Sequence, residues 1–210
     1  QVAEKLASFH REAETNEEIG NYGKLDMILV NTEENFSQTK NYIGTSISQQ
    51  QYQDIKSYTD EFTDKNASLF EARVRGGRAR DCHGDHHTAH ICFTEGICIY
   101  DCIEFNDRFR YSDVASEVAF LAMDLDYHGC PHLSRCFVEA YVDISADEEL
   151  WRLLDFYKCY RAYVRGKVEG FKLDDPHIPE EEKEAALDSA RRYFALAHSY
   201  IGGTRPILII

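Results

Sequence analysis

The chain has 210 residues, 43% of them hydrophobic and 29% charged, so it can bury a core and is not disordered as a whole. Its 23 lysines and arginines against 37 aspartates and glutamates give a net charge of −14, which argues against general binding to nucleic-acid phosphates. No apolar run approaches the roughly 20 residues that cross a bilayer, and the mixed-charge start differs from a secretory signal. We therefore expect a soluble, cytoplasmic protein without nucleic-acid or membrane partners.

The seven cysteines form no CxxC pair, and several of them lie inside apolar runs. Disulfides are rare in the reducing cytosol. The pattern therefore predicts buried, reduced thiols rather than a disulfide framework.

The first third of the chain is predicted to contain two helices separated by a long loop. The first helix runs to about Glu14 on an apolar pattern. Residues 15–50 are polar, rich in glycine, asparagine and serine, and weakly periodic, so we expect mainly loop with short helical turns. Ser48 can cap a second helix, whose apolar pattern has a period of about 3.6 residues until Gly76 and Gly77 supply a C-cap.

Strand character is confined to residues 79–113. Two short apolar runs, 90–93 and 97–100, flank a glycine-containing turn, which is typical of a β-hairpin. The rest of the chain is predicted to be helical, over residues 113–127, 131–143, 147–171 and 179–201. The expected fold is α+β and mostly helical, with one small hairpin.

The last six residues, RPILII at 205–210, form a proline-led apolar run that is typical of a buried strand. A lone strand needs a neighbouring sheet. We therefore assign residues 1–203 to one domain and residues 204–210 to the start of a following domain, and expect the chain to be part of a longer polypeptide. A C-terminal tail packed on the body is the alternative.

Titratable side chains are concentrated in the segment CHGDHHTAHICFTEGICIYDCIEFND at 82–107. In an antiparallel hairpin over this turn, the residue opposite His90 is Tyr100 or Asp101. Asp85 lies in the loop that leads into the first strand, so Asp85, His90 and Asp101 should converge at the open end of the hairpin. One carboxylate of such a set can accept a proton from a hydroxyl group, and the other, with the imidazole, can hold a divalent metal ion.

The HGD motif at 83–85 is followed five residues after Asp85 by a ligand-type residue, then by the hairpin and by IYD ending at Asp101. This ordered set resembles the catalytic core of the aminoglycoside/choline-kinase-like phosphotransferases, whose loop reads HGDxxxxN and precedes a hairpin and a metal-binding aspartate. The strings DCIEFNDRFRYSDVASEVAFLAMDLD and YKCYRAYVRGKV resemble a narrower group of bacterial two-part proteins, in which such a domain precedes a P-loop ATPase domain. The resemblance covers nearly the whole chain. It implies the C-terminal lobe of a protein-kinase-like fold, with the hairpin carrying the catalytic loop and the N-terminal lobe absent.

The resemblance implies a role for each matching residue. Asp85 would be the catalytic base, His83 would hold the loop in place, and Asp101 would bind the metal ion. Asp113 would anchor the loop from the start of the next helix. The asparagine of the family falls on His90 here. Because imidazole prefers softer ions such as Zn²⁺ or Mn²⁺ to Mg²⁺, either His90 binds the metal differently or the site has lost activity.

The implied function is ATP- and Mg²⁺-dependent phosphoryl transfer to a hydroxyl group of a small molecule, catalysed by the intact protein. The chain contains no GxGxxG loop, no strand lysine placed to grip nucleotide phosphates, and no GxxxxGK[ST] sequence. We therefore expect an N-terminal lobe and a C-terminal P-loop domain to be the partners of this domain within one polypeptide. The isolated chain should bind ATP poorly and catalyse little.

Two other functions stay open. A metal-dependent hydrolase would place His86, His87, His90 and the nearby acids around Zn²⁺ or Mn²⁺. A degenerate kinase-like scaffold that regulates its P-loop ATPase partner would account for the change from asparagine to His90.

A basic stripe is predicted on the long helix at 147–171. Lys158, Arg161 and Arg165 follow one another at steps of three and four residues, so they share one face. This face could receive an anionic substrate or dock a missing domain, but charge runs are usually solvated, and a solvated face is the favoured interpretation.

Overall fold

The computed structural model describes residues 1–202, most of which are helical. Ten α-helices lie within this range: α1 (Val2–Glu12), α2 (Glu17–Tyr22), α3 (Leu25–Thr39), α4 (Gln49–Lys65), α5 (Ala67–Arg75), α6 (Asp107–Arg110), α7 (Val114–Tyr127), α8 (Pro131–Ser145), α9 (Leu150–Phe171) and α10 (Glu180–Tyr200). The same residues form four short strands: β1 (Ala79–Asp81), β2 (Ile91–Phe93), β3 (Ile97–Ile99) and β4 (Tyr111–Asp113). The predicted class, α+β and mostly helical, is confirmed.

The strands form two separate antiparallel pairs. β2 and β3 are the predicted hairpin, and the N–H of Tyr100 donates to the carbonyl oxygen of His90 at 3.1 Å. Of the two partners predicted for His90, Tyr100 or Asp101, Tyr100 is therefore the one that lies opposite it. β1 pairs with β4, with Ala79 opposite Asp113. This second pair, which the sequence did not predict, brings the start of the HGD loop next to the start of α7.

The centre of the core is α7, because its sequence is apolar on every side. Residues 114–124 are all buried, and a helix that is hydrophobic all round is stable only inside a protein. α8 and α9 pack against α7, and α10 packs along α9. Two carboxylates interrupt the apolar stretch, Glu117 and Asp124, and both accept hydrogen bonds from backbone N–H groups of residues 83–88.

The expectation of a loop over residues 15–50 is wrong, since α2 and α3 occupy much of it. The buried face of α3 contains Thr32, Asn35 and Thr39 besides its apolar residues, which weakens the apolar periodicity. The Thr39 hydroxyl donates to the backbone carbonyl of Asn35 at 2.9 Å. Polar side chains that satisfy their hydrogen bonds in this way can be buried at little cost, so the helix forms without a clear apolar pattern.

The other predicted helices are confirmed with small differences in their bounds. Ser48 forms the predicted N-cap of α4, in a reciprocal capping box with Gln51. The helix predicted from Ser48 to Gly76 is divided at Asn66, whose side-chain amide donates to the carbonyl oxygen of Phe62 at 2.9 Å.

The prediction that the cysteines are buried is wrong for most of them. Cys82 and Cys159 are buried, whereas Cys92, Cys98 and Cys136 are exposed. All seven are free thiols. The apolar composition of the hairpin was misleading, because one face of this short two-stranded ribbon is in solvent.

The predicted strand at 205–210 and the proposed start of a following domain at 204–210 lie outside the described residues. Among residues 1–202, no helix combines the length and the apolar character that are needed to cross a membrane.

Candidate functional site

The HGD motif lies in a loop between β1 and a short 3-10 turn at Thr88–His90. Gly84 has a φ angle of +84°, which residues with a Cβ atom rarely adopt. A Cβ atom at this position would lie 2.8 Å from the carbonyl oxygen of Phe109. The loop therefore requires glycine at the centre of the motif for its conformation and for space.

The His83 side chain connects the loop to the end of the hairpin. Its Nε2 donates to the carbonyl oxygen of Tyr100 at 2.7 Å. Because a carbonyl oxygen can only accept, the proton is on Nε2, and Nδ1 accepts the N–H of Asp85 at 3.3 Å. These contacts are those of a loop-holding residue, the role that the resemblance implies for His83.

The loop backbone is also held by Glu117, which the sequence analysis did not single out. Its carboxylate accepts the N–H of His83 at 3.1 Å and the N–H of Gly84 at 2.7 Å, and Nε2 of the buried His10 lies 2.7 Å away. Burial opposes ionisation, but the hydrogen bond and charge of His10, the charge of His86 and the loop N–H lower the pKa of Glu117 to about 2. Glu117 is therefore ionised. The sequence did contain a sign of this role. Glu117 is a lone acid inside the apolar run VASEVAFLAM, and a buried charge requires partners.

Asp113 does not have the contacts expected of a loop anchor. Its carboxylate caps α7 by accepting the N–H of Ala115 at 2.8 Å, and it accepts two N–H groups of the buried Arg73 at 2.7 and 2.9 Å. Arg73 also pairs with Asp147. Within the described residues, no hydrogen bond joins the Asp113 side chain to the HGD loop, so its support of the loop is indirect, through the pairing of β1 with β4.

The Asp85 side chain is 33% exposed and lies next to two histidines. Its Oδ2 atom is 3.5 Å from Nε2 of His87 and 3.6 Å from Nδ1 of His90. Burial alone would raise the pKa of Asp85, but the hydrogen bond from His87 and the charges of His87, His90 and Arg165 lower it overall. At neutral pH Asp85 is therefore a carboxylate, able to accept a proton or to bind a cation.

His90 links Asp85 to Asp101. Its Nδ1 donates to the backbone carbonyl of Asp85 at 2.9 Å, and its Nε2 lies 3.3 Å from Oδ2 of Asp101. A neutral imidazole with its proton on Nδ1 directs a lone pair from Nε2 at the carboxylate, so these two atoms repel each other unless a proton or a cation lies between them. Asp101 has a φ angle of +62°, an uncommon backbone conformation that clusters at functional sites.

Two overlapping sets of side chains can hold a cation. The ligand atoms of Asp85, His87 and His90 all lie within 4.8 Å of one another, and Asp101 approaches His90 from its other side. The imidazole nitrogens of both sets suit Zn²⁺ or Mn²⁺ better than Mg²⁺. His86 belongs to neither set: it is fully buried, neither ring nitrogen has a hydrogen-bond partner within residues 1–202, and burial lowers its pKa to about 4.

Next to Asp85 lies a cavity of about 490 Å³. Its volume is within the roughly 300–1,000 Å³ that is usual for small-molecule sites. Asp85 is part of the wall, and Asp101 lies on the opposite side of His90 from Asp85. Aromatic side chains form much of the rest of the wall: Tyr22, Phe105, Phe109, Tyr111, Tyr160 and Phe171.

The basic stripe on α9 is not a solvated face, so the favoured interpretation is wrong. Lys158 and Arg161 are buried. Lys158 donates to Asp126 at 2.8 Å, whereas Arg161 donates to the carbonyl oxygen of Gly84 in the HGD loop at 3.3 Å. Arg161 and Arg165 both line the cavity. Two of the three basic side chains therefore belong to the candidate site.

Curated proteins of two mycobacteria are similar to this chain. Uncharacterized protein Mb2027c of Mycobacterium bovis and uncharacterized protein Rv2004c of Mycobacterium tuberculosis are each 34% identical to it over 191 residues. The match covers 90% of this chain and 37% of each relative, so the chain spans little more than a third of their length. No protein-family model matches the chain, and no solved structure matches it. The relatives are named without an activity, and the functional argument therefore depends on the site.

Proposed function

We propose that this chain is the catalytic lobe of an ATP-dependent phosphotransferase that requires a divalent metal ion and acts on a hydroxyl group of a small molecule. The observation that carries the proposal is the position of Asp85, an ionised carboxylate between a cavity and the His90–Asp101 pair. A hydroxyl group in the cavity can reach Asp85, while a cation can bind on the other side. The resemblance of the HGD segment to the aminoglycoside/choline-kinase-like phosphotransferases supports the same function, with a cytoplasmic location where ATP is available.

In the proposed reaction, Asp85 orients the acceptor hydroxyl group and accepts its proton. The hydroxyl oxygen forms a bond to the γ-phosphorus of ATP as the bond between that phosphorus and the β–γ bridging oxygen breaks, and ADP leaves. A metal ion at Asp101, with His90, would supply positive charge to the phosphate oxygens. His83 and Glu117 hold the loop backbone, so Asp85 needs little reorganisation during the reaction.

The parts that grip the nucleotide are proposed to lie in other segments of the polypeptide. This sequence contains neither a glycine-rich phosphate loop nor a P-loop. Because the match covers 37% of the mycobacterial relatives, proteins of that length have room for an N-terminal lobe and a P-loop domain beside this one. These two parts are the proposed partners in cis.

One alternative is favoured by the cluster of Asp85, His87 and His90. A Zn²⁺ or Mn²⁺ ion held by these ligands would lower the pKa of a bound water molecule and could promote hydrolysis. The burial of His86 removes it from the set of ligands that the sequence suggested for this function. A hydrolase would contain a tightly bound transition metal after purification and would act without ATP.

A second alternative is a degenerate scaffold, favoured by His90 at the position of the family's asparagine. The intact protein would then bind nucleotide weakly and transfer no phosphoryl group, although the fold and the loop contacts would be unchanged.

The test compares Asp85→Asn with Asp188→Asn, a change at an exposed aspartate of α10, in the intact protein. The measurement is transfer of the γ-phosphoryl group from radiolabelled ATP to small molecules in a deproteinised extract of the source cells. We expect transfer by the wild type, a loss of about 100-fold or more in Asp85→Asn because the general base is gone, and no loss in Asp188→Asn. Absence of transfer by the wild type, or full transfer by Asp85→Asn, would contradict the proposal.

A further inference from the structure

Four cationic side chains line the cavity, although the chain as a whole has a net charge of −14: Arg108, Arg161, Arg165 and Lys167. Arg108 forms an ion pair with Glu34, another residue of the wall. Within residues 1–202, none of the remaining three cations has a carboxylate oxygen closer than 3.9 Å, and their contacts indicate what the cavity binds.

Arg161 is only 8% exposed and is bound by neutral acceptors alone. Its guanidinium group donates to the hydroxyl oxygen of Ser116 at 3.1 Å and to the carbonyl oxygen of Gly84 at 3.3 Å. Within residues 1–202, no carboxylate oxygen lies within 4.0 Å of its nitrogens. The guanidinium carbon also lies 4.7 Å from the ring centre of Phe120 and 5.8 Å from that of Tyr160, which offsets part of the cost of burial. None of these contacts supplies the negative charge that a buried cation usually has beside it.

Lys167 is held in the same way. Its ammonium group donates to the side-chain oxygens of Asn35 at 2.6 Å and Gln38 at 2.8 Å, both of them neutral. Partial burial lowers its pKa in spite of the attraction of Glu34, and the charge of Arg108 lowers it further. An anion in the cavity would reverse this effect.

Arg165 has a buried Nε atom with no hydrogen-bond partner in the described part of the chain. Its closest carboxylate, that of Glu169, is 3.9 Å away and is bound by Lys172 at 2.7 Å. The guanidinium group lies over the ring of Tyr193, with its carbon 5.6 Å from the ring centre. Its hydrogen-bonding capacity is thus only partly used.

The carboxylates of the wall do not balance these charges. Glu34 is paired with Arg108, and Asp113 is paired with Arg73 outside the cavity. Asp85 is then the one remaining carboxylate of the wall among the described residues, against three cations.

We propose that the acceptor carries an anionic group, a carboxylate or a phosphate monoester, which binds Lys167, Arg165 and Arg161 while the acceptor hydroxyl group reaches Asp85. The placement of the acceptor hydroxyl group at Asp85 rests on the proposed phosphoryl transfer, whereas the anion site does not depend on it. Charge-assisted hydrogen bonds from arginine and lysine are the usual means of holding carboxylates and phosphates in proteins.

The same charges define what the cavity rejects. A cationic acceptor such as an aminoglycoside or choline would face three cations against the single carboxylate of Asp85 and would be repelled. The aromatic part of the wall, which includes Phe105 and Tyr160, suits the flat or apolar face of a small ring. The expected acceptors are therefore small anionic molecules with a hydroxyl group, such as sugar acids or sugar phosphates.

Anion binding is tested by titration calorimetry on the 210-residue chain without nucleotide. D-glucose, D-glucuronate and D-glucose 6-phosphate share a sugar ring and differ in charge, and acetate and inorganic phosphate present the anionic groups without the ring. We expect at least one anion to bind tenfold or more tightly than glucose. Whether the carboxylates or the phosphates bind more tightly identifies the anionic group that the cavity recognises.

Two variants locate the site. Lys167→Gln and Arg165→Gln should each weaken anion binding about tenfold or more, whereas Lys65→Gln, at an exposed lysine of α4, should not change it. Thermal melting of each variant shows whether the fold is kept. Arg165→Lys, which keeps the charge, should retain part of the affinity.

The outcomes separate this inference from the proposed function. Asp85→Asn should bind the anion at least as tightly as the wild type, because a negative charge is removed from the cavity, while transfer is lost. Anion binding without phosphoryl transfer by the intact protein would overturn the proposed function alone. No anion binding tighter than that of glucose, or equal binding by the Lys167 and Arg165 variants, would overturn the anionic acceptor.

Discussion

The imidazole of His10 lies 2.7 Å from the carboxylate of Glu117 and thereby joins the first helix to the loop that contains Asp85. Both side chains are buried. The other ring nitrogen of His10 is 2.7 Å from the hydroxyl oxygen of Tyr141 on α8. A single carboxylate therefore connects α1, α7 and the HGD loop, and its loss should affect the whole arrangement.

Replacing Glu117 by alanine should lower the free energy of unfolding by about 3–5 kcal/mol. The change leaves two loop N–H groups and a buried imidazole without their acceptor, which is the usual cost of breaking a buried charged pair. Glu139→Ala, at a half-exposed glutamate that pairs with Arg135 on the surface, should cost less than about 1 kcal/mol. Urea unfolding of the two variants gives the comparison, and equal losses would show that Glu117 does not hold the loop.

The pH dependence of stability should also depend on Glu117. The pKa of this group is about 2 in the folded protein, against an ordinary value of 4.5. As the pH falls below 4.5 the unfolded chain takes up the proton before the folded one, so the contribution of Glu117 is complete above pH 4.5 and is lost as the pH approaches 2.

The measurement compares wild type with Glu117→Gln by thermal melting between pH 6 and pH 3. The difference in unfolding free energy should be largest above pH 4.5 and should shrink with acid, by about 2 kcal/mol between pH 6 and pH 3. A difference that does not change with pH would mean that Glu117 is not ionised in the folded protein.

Gly84 and Gly44 form a matched pair for testing the HGD loop. Their φ angles are nearly equal, +84° and +86°, but a Cβ atom would lie 2.8 Å from a carbonyl oxygen at Gly84 and would meet nothing within 4 Å at Gly44. Gly44→Ala should therefore lower the free energy of unfolding only by the strain of a positive φ angle at alanine, about 1–2 kcal/mol. Gly84→Ala should lower it clearly more and displace Asp85, because its Cβ atom also meets the carbonyl oxygen. Urea unfolding measures both, and similar costs would show that the loop has room to move.

The sequence predicted those parts of the site that depend on local pattern. Two short apolar runs around a glycine-containing turn were enough to predict the hairpin and to place His90 opposite Tyr100 or Asp101, of which Tyr100 is the partner. The position of Asp85 in the loop before the first strand then predicted that Asp85 and Asp101 both approach His90, as they do. The helical character of the chain from residue 113 onward likewise predicted α7 and α9. These features involve residues that are close in sequence, so the chain geometry limits the possibilities.

The remaining features depend on contacts between distant segments. His10 meets Glu117 across 107 residues, and nothing in either local pattern indicates the other partner. The basic residues of α9 were interpreted as solvated because a single sequence does not show that Arg161 faces the HGD loop. α3 was missed because Thr32 and Asn35 on its buried face interrupt the apolar pattern.

The last prediction concerns the metal preference of the His90–Asp101 pair. His90→Asn restores the residue of the family motif and replaces an imidazole nitrogen by an amide oxygen, which favours Mg²⁺ and disfavours Zn²⁺. We expect Zn²⁺ affinity of the chain to fall by about tenfold or more and Mg²⁺ affinity to rise, as measured by titration calorimetry. His132→Asn, at an exposed histidine of α8, should leave both affinities unchanged, and Asp101→Asn should weaken both. If Zn²⁺ binds equally well to wild type and His90→Asn, the imidazole of His90 is not a ligand, and the cation site must be sought elsewhere.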